Sequence, residues 1–374
     1  MSATTSFAIF SRQLTSDLHS LSSESKRRNS EIRHASEKSL DILKTVHSFE
    51  DLLRHPDFVV PFILSCSSRN PKFTTISIQC LQKLSATKCI PQGRLDQVLN
   101  SLIESTHLAV EIQLKVLQIV PIFFKTYQEF VTGNLCAKLL LCCSNLLQLP
   151  NKTPMVVGSA SATLQQLIND IFDRVNREDE SVEGEFSVLI SNSSSIKVSP
   201  YRYDANRVFA DLCSLADSPN DQTFLLNITT IPEDYGLEIL ESVLTNHQPL
   251  FERQPDLQFL LRTKAVPLLL RPISSSRTFA IVVRSSRCIK LLIRPGFLNI
   301  LELELEVILS LLTHSLSRES NSPVWKKILA LEIFQEVSKD IKLLRGIFHS
   351  YDSLKDRKHI LVTLLDVLLE NLNE

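Results

Sequence analysis

Glycine is scarce in this chain, 7 among 374 residues, where an average composition holds ~7%. Turn-rich β architectures and phosphate-cradling loops need glycine where the backbone takes a positive φ or approaches a ligand closely, so both are disfavoured. An excess of one charge is also missing. Lys+Arg total 40 against 41 Asp+Glu, a net charge of -1, which argues against a nucleic-acid partner. No apolar run approaches the ~18 residues of a membrane span. The longer ones, such as 117–124 with its Gln118, fit amphipathic or core helices. The N-terminal stretch MSATTSFAIFSRQL has no long apolar core and no small-residue cleavage site, so no secretory signal is expected. The 8 cysteines include no CxxC pair and no Cys/His cluster at zinc-ligand spacing. They are expected to be buried reduced thiols of a cytoplasmic protein that holds no metal and no cofactor.

Chemistry-bearing motifs are absent in the same way. The sequence holds no GxxxxGK[ST], GxGxxG, GxSxG or HExxH. His107 and Glu111 stand four apart, as two ligands on one helix face would, but no third ligand is indicated and the pair reads as surface. Glu302, Glu304 and Glu306 alternate by two, which spreads them around a helix as solvated positions. No catalytic residue is assigned and no enzyme is expected.

Leucine at helical spacing fills the chain. Phe7, Phe10, Leu14, Leu18 and Leu21 form one stripe on a first helix, and a more polar helix follows from about Glu24 to Val46. Ser48, with Asp51 three residues on, resembles a capping box. Pro56, Pro71, Pro91 and Pro154 stand near helix starts, where a missing N–H is tolerated. Helices are expected at about 57–66, 72–86, 91–107, 109–131, 134–148 and 155–175, then 200–216, 233–247, 256–271, 276–293, 297–317, 323–338 and 354–372. Pro121 and Pro267 should kink or break the helices that contain them. Short loops imply antiparallel neighbours, and no strand is expected. The fold class is therefore all-α, an armadillo/HEAT-like α-solenoid of antiparallel helices. Residues 176–199, acidic and then serine-rich, read as a polar linker between helical domains at 1–175 and 200–374.

One charge feature stands out. Between Leu257 and Leu301 there is no Asp or Glu, while Arg262, Lys264, Arg271, Arg277, Arg284, Arg287, Lys290 and Arg294 all occur. At helical spacing Arg277, Arg284, Arg287 and Lys290 share a broad face, opposite the apolar Phe279, Ile281, Val282, Ile289 and Leu292. Two readings stay open. Acidic neighbours in the chain, with Glu302, Glu304 and Glu306 the nearest, satisfy the stripe, or the stripe docks an anionic membrane surface or an acidic partner. Lys26, Arg27 and Arg28 form a second basic cluster.

Several long segments, LSSESKRRNSEIRHASEKSLDILK (21–44), HPDFVVPFILSC (55–66), EIQLKVLQIVPIFFKTY (111–127), VVGSASATLQQLINDIFDRV (156–175) and LESVLTNHQPLF (240–251), resemble the monensin-sensitivity (Mon-two) family. These proteins are relatives of the large Arf guanine-nucleotide exchange factors that lack the catalytic exchange domain. The resemblance makes 1–175 a DCB domain (dimerisation and cyclophilin binding) and 200–374 a HUS domain (homology upstream of the catalytic domain). In FHSYDS, Tyr351 and Asp352 match the family's Asn-Tyr-Asp-Cys-Asp box, while Ser350 and Ser353 replace its Asn and Cys. The resemblance implies a non-catalytic scaffold, cytoplasmic and peripheral on trans-Golgi network and endosome membranes, and a fragment of a longer protein. It implies association with a Dopey-type protein, an Arf-like small GTPase and a phospholipid flippase, and self-association as a homodimer through the first block. An HEAT-type adaptor that binds an acidic peptide in its concave groove is the alternative.

Overall fold

The computed structural model describes residues 3–25, 29–150, 153–178, 184–217, 226, 233–275, 277–354 and 357–372. Among these the chain is an all-α helical repeat with one short β-hairpin, divided into two compact units, 1–170 with 224–228 and 171–223 with 229–374.

The first unit holds α1 (Ala3–Glu24), α2 (Ser30–Thr45), α3 (Phe49–Leu53), α4 (Val60–Ser67), α5 (Pro71–Ala86), α6 (Leu95–Ser105), α7 (Val110–Thr126) and α8 (Asn134–Gln148), with α9 (Pro154–Arg177) up to Asp170. Pro71 and Pro154 open their helices at a position where no N–H is needed. Ser48 caps α3 by accepting the Asp51 N–H at 3.1 Å. The α1 stripe is fully used: Leu14, Leu18 and Leu21 are completely buried, and α1 lies on α2 and α5. Phe7 and Phe10 each meet Phe49 with ring centroids 5.1 Å apart. Each such buried side chain contributes roughly 1.5–3 kcal/mol. Beyond α1 the helices form two layers, α4, α6 and α8 in one and α5 and α7 in the other. All six cysteines of this unit are buried and free.

The second unit continues α9 and adds α10 (Pro200–Asp217), α11 (Glu233–Asn246), α12 (Gln248–Arg253), α13 (Pro255–Leu260), α14 (Val266–Ser274), α15 (Phe279–Leu292), α16 (Pro295–Leu298), α17 (Glu302–Leu316), α18 (Val324–Lys339), α19 (Ile341–Ile347) and α20 (Ile360–Leu372). Layering recurs: α10, α14, α17 and α20 succeed one another on one side, α11, α15 and α18 on the other. The buried Asp256 carboxylate ties α13 to α10, accepting from Arg202 Nε at 2.9 Å and Asn206 Nδ2 at 3.0 Å. Buried charge survives here because it is paired and hydrogen-bonded. The helix expected over 256–271 is interrupted, as Pro267 implied. A π-helical turn at Leu261–Ala265 separates α13 from α14, and Pro267 lies in the first turn of α14.

The stretch 176–199 departs from a featureless linker. Helix α9 runs on to Arg177, and β1 (Phe186–Leu189) pairs antiparallel with β2 (Ser195–Val198), Phe186 opposite Val198. Val188 and Val198 are buried and Phe186 stacks on Tyr203 with centroids 4.5 Å apart, which fixes the hairpin to α10.

Candidate interaction surfaces of the second unit

The basic segment is largely compensated inside its own unit. Arg284, on α15, donates to Glu241 at 2.9 Å and to Glu238 at 3.1 Å, both on α11. The Glu241 carboxylate raises the Arg284 pKa still further. Lys290 lies 3.8 Å from Glu336 on α18. Arg294 donates to the side-chain carbonyl of Gln248, and Arg262 to the Ile300 carbonyl at 2.8 Å. Arg277 lies ahead of α15, so it does not share that helix face, and Phe279, expected to pack, is 61% exposed against Trp325. Arg287 is exposed and forms no ion pair among the described residues. The acids expected to answer the stripe serve another residue: Glu302 and Glu306 receive Arg357 at 2.9 and 3.0 Å, Glu302 from a half-exposed position. Lys26, Arg27 and Arg28 lie outside the described residues.

A basic pocket nevertheless forms, with partners that the sequence did not point to. Lys290 and Arg294 converge with Lys339 and Lys342 around a cavity of about 570 Å3 between α15, α18 and α19. Glu336 bridges two of them, 2.9 Å from Lys339, and Lys339 first, then Lys290, holds its carboxyl below the usual range. Asp340 is spent on the α19 start, accepting the N–H groups of Lys342 and Leu343. Four cations against two acids leave the pocket positive. Lys339 and Lys342 lie too far along the sequence from Lys290 for any spacing rule to join them.

Tyr351 and Asp352 occupy a π-helical turn, Phe348–Asp352, that follows α19. Tyr351 is fully buried, and its hydroxyl donates to the Glu302 carbonyl at 2.8 Å. Burial, with the Glu302 carboxylate nearby, raises its pKa. The Asp352 carboxylate accepts the N–H of Leu361 at 3.0 Å and of Val362 at 3.1 Å, which caps α20. The box residues thus lock α17, α19 and α20 together and present no reactive group to solvent.

An apolar groove lies beside them. It measures about 720 Å3 and runs between α18, α19 and α20, lined by Ile328, Leu331, Phe334, Leu361, Leu365 and Leu368 among others. Ile328 is 57% exposed and Leu365 59%. The sequence did carry a signal: α20 is apolar nearly all round, as only a covered helix usually is.

His107 lies in the turn between α6 and α7, so it does not share a helix with Glu111. Among the described residues there is no group of three or more His, Cys, Asp or Glu poised to hold a metal, and no helix long and apolar enough to cross a membrane.

Residues 5–179 match the family described as Mon2/Sec7/BIG1-like, dimerisation and cyclophilin-binding domain (DCB), and residues 201–360 match the Mon2/Sec7/BIG1-like HUS domain. Protein MON2 of Saccharomyces cerevisiae is 58% identical over 372 residues, 98% of this chain and 23% of the yeast protein. The Protein MON2 homologs of Schizosaccharomyces pombe and Homo sapiens are 27% and 28% identical, over 96% and 91% of this chain. The chain spans under a quarter of the length of these relatives. With both domains present in order and a relative this similar along nearly its whole length, the chain belongs to the Mon2 family, related to the Sec7-type Arf exchange factors.

Proposed function

We propose that this chain is part of a scaffold of membrane traffic between endosomes and the trans-Golgi network, peripheral on the cytoplasmic face of those membranes. The observation that carries it is the succession of a DCB and a HUS domain, the non-catalytic regions of an Arf-exchange-factor-related family. Such a protein acts through surfaces. A Dopey-type protein, an Arf-like small GTPase and a phospholipid flippase are the partners proposed, with homodimerisation through the DCB domain, whose description includes dimerisation. The pocket of Lys290, Arg294, Lys339 and Lys342 is proposed as the contact with an anionic leaflet. At ~1 kcal/mol per net charge, its surplus of two supplies roughly 2 kcal/mol, enough to orient a recruited protein but not to recruit it.

The experiment is a chimera. This chain replaces the matching region of the yeast Protein MON2, and the fusion is followed in yeast lacking the native protein. Co-localisation with trans-Golgi markers and restored cargo retrieval from endosomes are expected. A soluble, folded chimera that stays diffuse and restores nothing overturns the proposal. The concave, positive pocket also favours a second reading, capture of an acidic peptide. Competition between such a peptide and anionic vesicles for the chain separates the two.

A further inference from the structure

We infer that the groove between α18, α19 and α20 is a docking site for an amphipathic helix of a partner protein, one whose apolar face is bordered by Lys or Arg. The inference rests on the scaffold reading and adds the chemistry of one partner. Its apolar part is unusual for a protein surface. On α18, Val324, Ile328 and Leu331 follow helical spacing and are 74%, 57% and 43% exposed. On α20, Val362, Leu365, Leu369 and Leu372 do the same at 51%, 59%, 56% and 79%. Contiguous apolar patches beyond a few hundred Å2 are rare on monomers and mark interaction sites. Of these, Ile328, Leu331 and Leu365 line the groove together with Leu361 and Leu368, and the others extend its apolar surface along the same two helices. A groove walled by two such helices is the shape into which a third helix lays its apolar face.

Charge selects which helix. Glu332 lines the groove on α18, and Asp366, next to Leu365 on α20, stands outside the lining. Both are exposed, and neither forms an ion pair among the described residues. No lysine or arginine lines this groove. The unit's own helix contacts show the matching rule. Acidic Glu238 and Glu241 of α11 meet Arg284 of α15, and Lys290 of α15 meets Glu336 of α18. A helix laid against α18 and α20 completes that alternation only if it brings cations to Glu332 and Asp366.

The test uses the purified chain and two labelled peptides of about five helical turns. Each carries leucine along one face, flanked by lysine in one peptide and by glutamate in the other. Anisotropy is expected to show saturable binding of the lysine peptide, at least about tenfold tighter than the glutamate peptide. Glu332→Lys with Asp366→Lys should reverse that preference. Leu331→Asp with Leu365→Asp should abolish binding of both peptides; these side chains are exposed, so the melting temperature should stay near that of the parent. Equal binding of the two peptides, or a preference that survives charge reversal, overturns the inference. So does a dimer that Leu365→Asp dissolves, because a second copy then covers the face, and so does loss of peptide binding in the full-length yeast chimera, because the polypeptide then covers it itself. None of these outcomes depends on where the chimera localises, so the scaffold proposal stands or falls separately.

Discussion

Asp352 performs a local task with a measurable energy. Its carboxylate takes up two N–H groups at the start of α20 that no helix bond can satisfy. Asp352→Ala should cost about 1 kcal/mol, as the loss of a helix cap does, while Asp352→Asn keeps most of it; thermal unfolding by circular dichroism reads both. Arg284 is a second case. Its side chain is 30% exposed, so its two ion pairs are together discounted to about 1 kcal/mol. Arg284→Glu crowds a third carboxylate against Glu238 and Glu241 and should lower the melting temperature by a few degrees. Arg287→Glu, on an exposed residue of the same helix, should leave it unchanged. His247 gives a pH dependence. It is 2% exposed, stacks on Phe172 and faces Asp173 at 3.7 Å. Burial lowers its pKa, more than the Asp173 charge raises it. The unfolded chain therefore binds the proton first, near pH 6.5, and stability from this residue is present above that pH and lost below it. Melting temperature should fall between pH 7 and 5, and His247→Phe should shrink the slope; an unchanged slope counts against this role.

Individual helices show what periodicity can and cannot reveal. The stripe Phe7–Leu21 and the Ser48 cap were legible because each is set by residues within a turn or two. The hairpin was not. Its strands have four residues each, too short for alternation to rise above a serine-rich background, and its stability comes from Tyr203 and the α10 surface. Nor was the basic pocket, since Lys290 and Lys339 meet only once α15 and α18 pack. Pro267, by contrast, announced its break, because a ring without an N–H disrupts a helix whatever surrounds it. Gly184 tests the hairpin as an element. A Cβ there would sit 2.3 Å from the backbone nitrogen of Val198, closer than atoms pack. Gly184→Val should unpair the strands and make Lys197 an early trypsin site, with little change in the melting of the helices. Resistance equal to the parent chain would show that the pairing tolerates the side chain.

At the scale of the chain, the two units can be told apart by what their interiors contain. A dimer formed through the DCB domain would have to use a surface other than the α1 stripe, which is already covered by α2 and α5. Leu14→Ala should therefore cost about 2–5 kcal/mol of stability, as deletions at full burial do. A folded monomer with unaltered melting would place the stripe at the dimer interface instead. The cysteines have a further use. All eight are buried and free, and burial pushes the thiols of Cys66, Cys142 and Cys213 up to about 12. A thiol is a nucleophile only as its thiolate, so none should react while its surroundings hold. Cys66, Cys80, Cys89, Cys136, Cys142 and Cys143 belong to the first unit, and Cys213 and Cys288 to the second. The mass added by an alkylating reagent thus becomes a counter of opening events: six adducts when the first unit unfolds alone, two when the second does, and eight in one step when both unfold together.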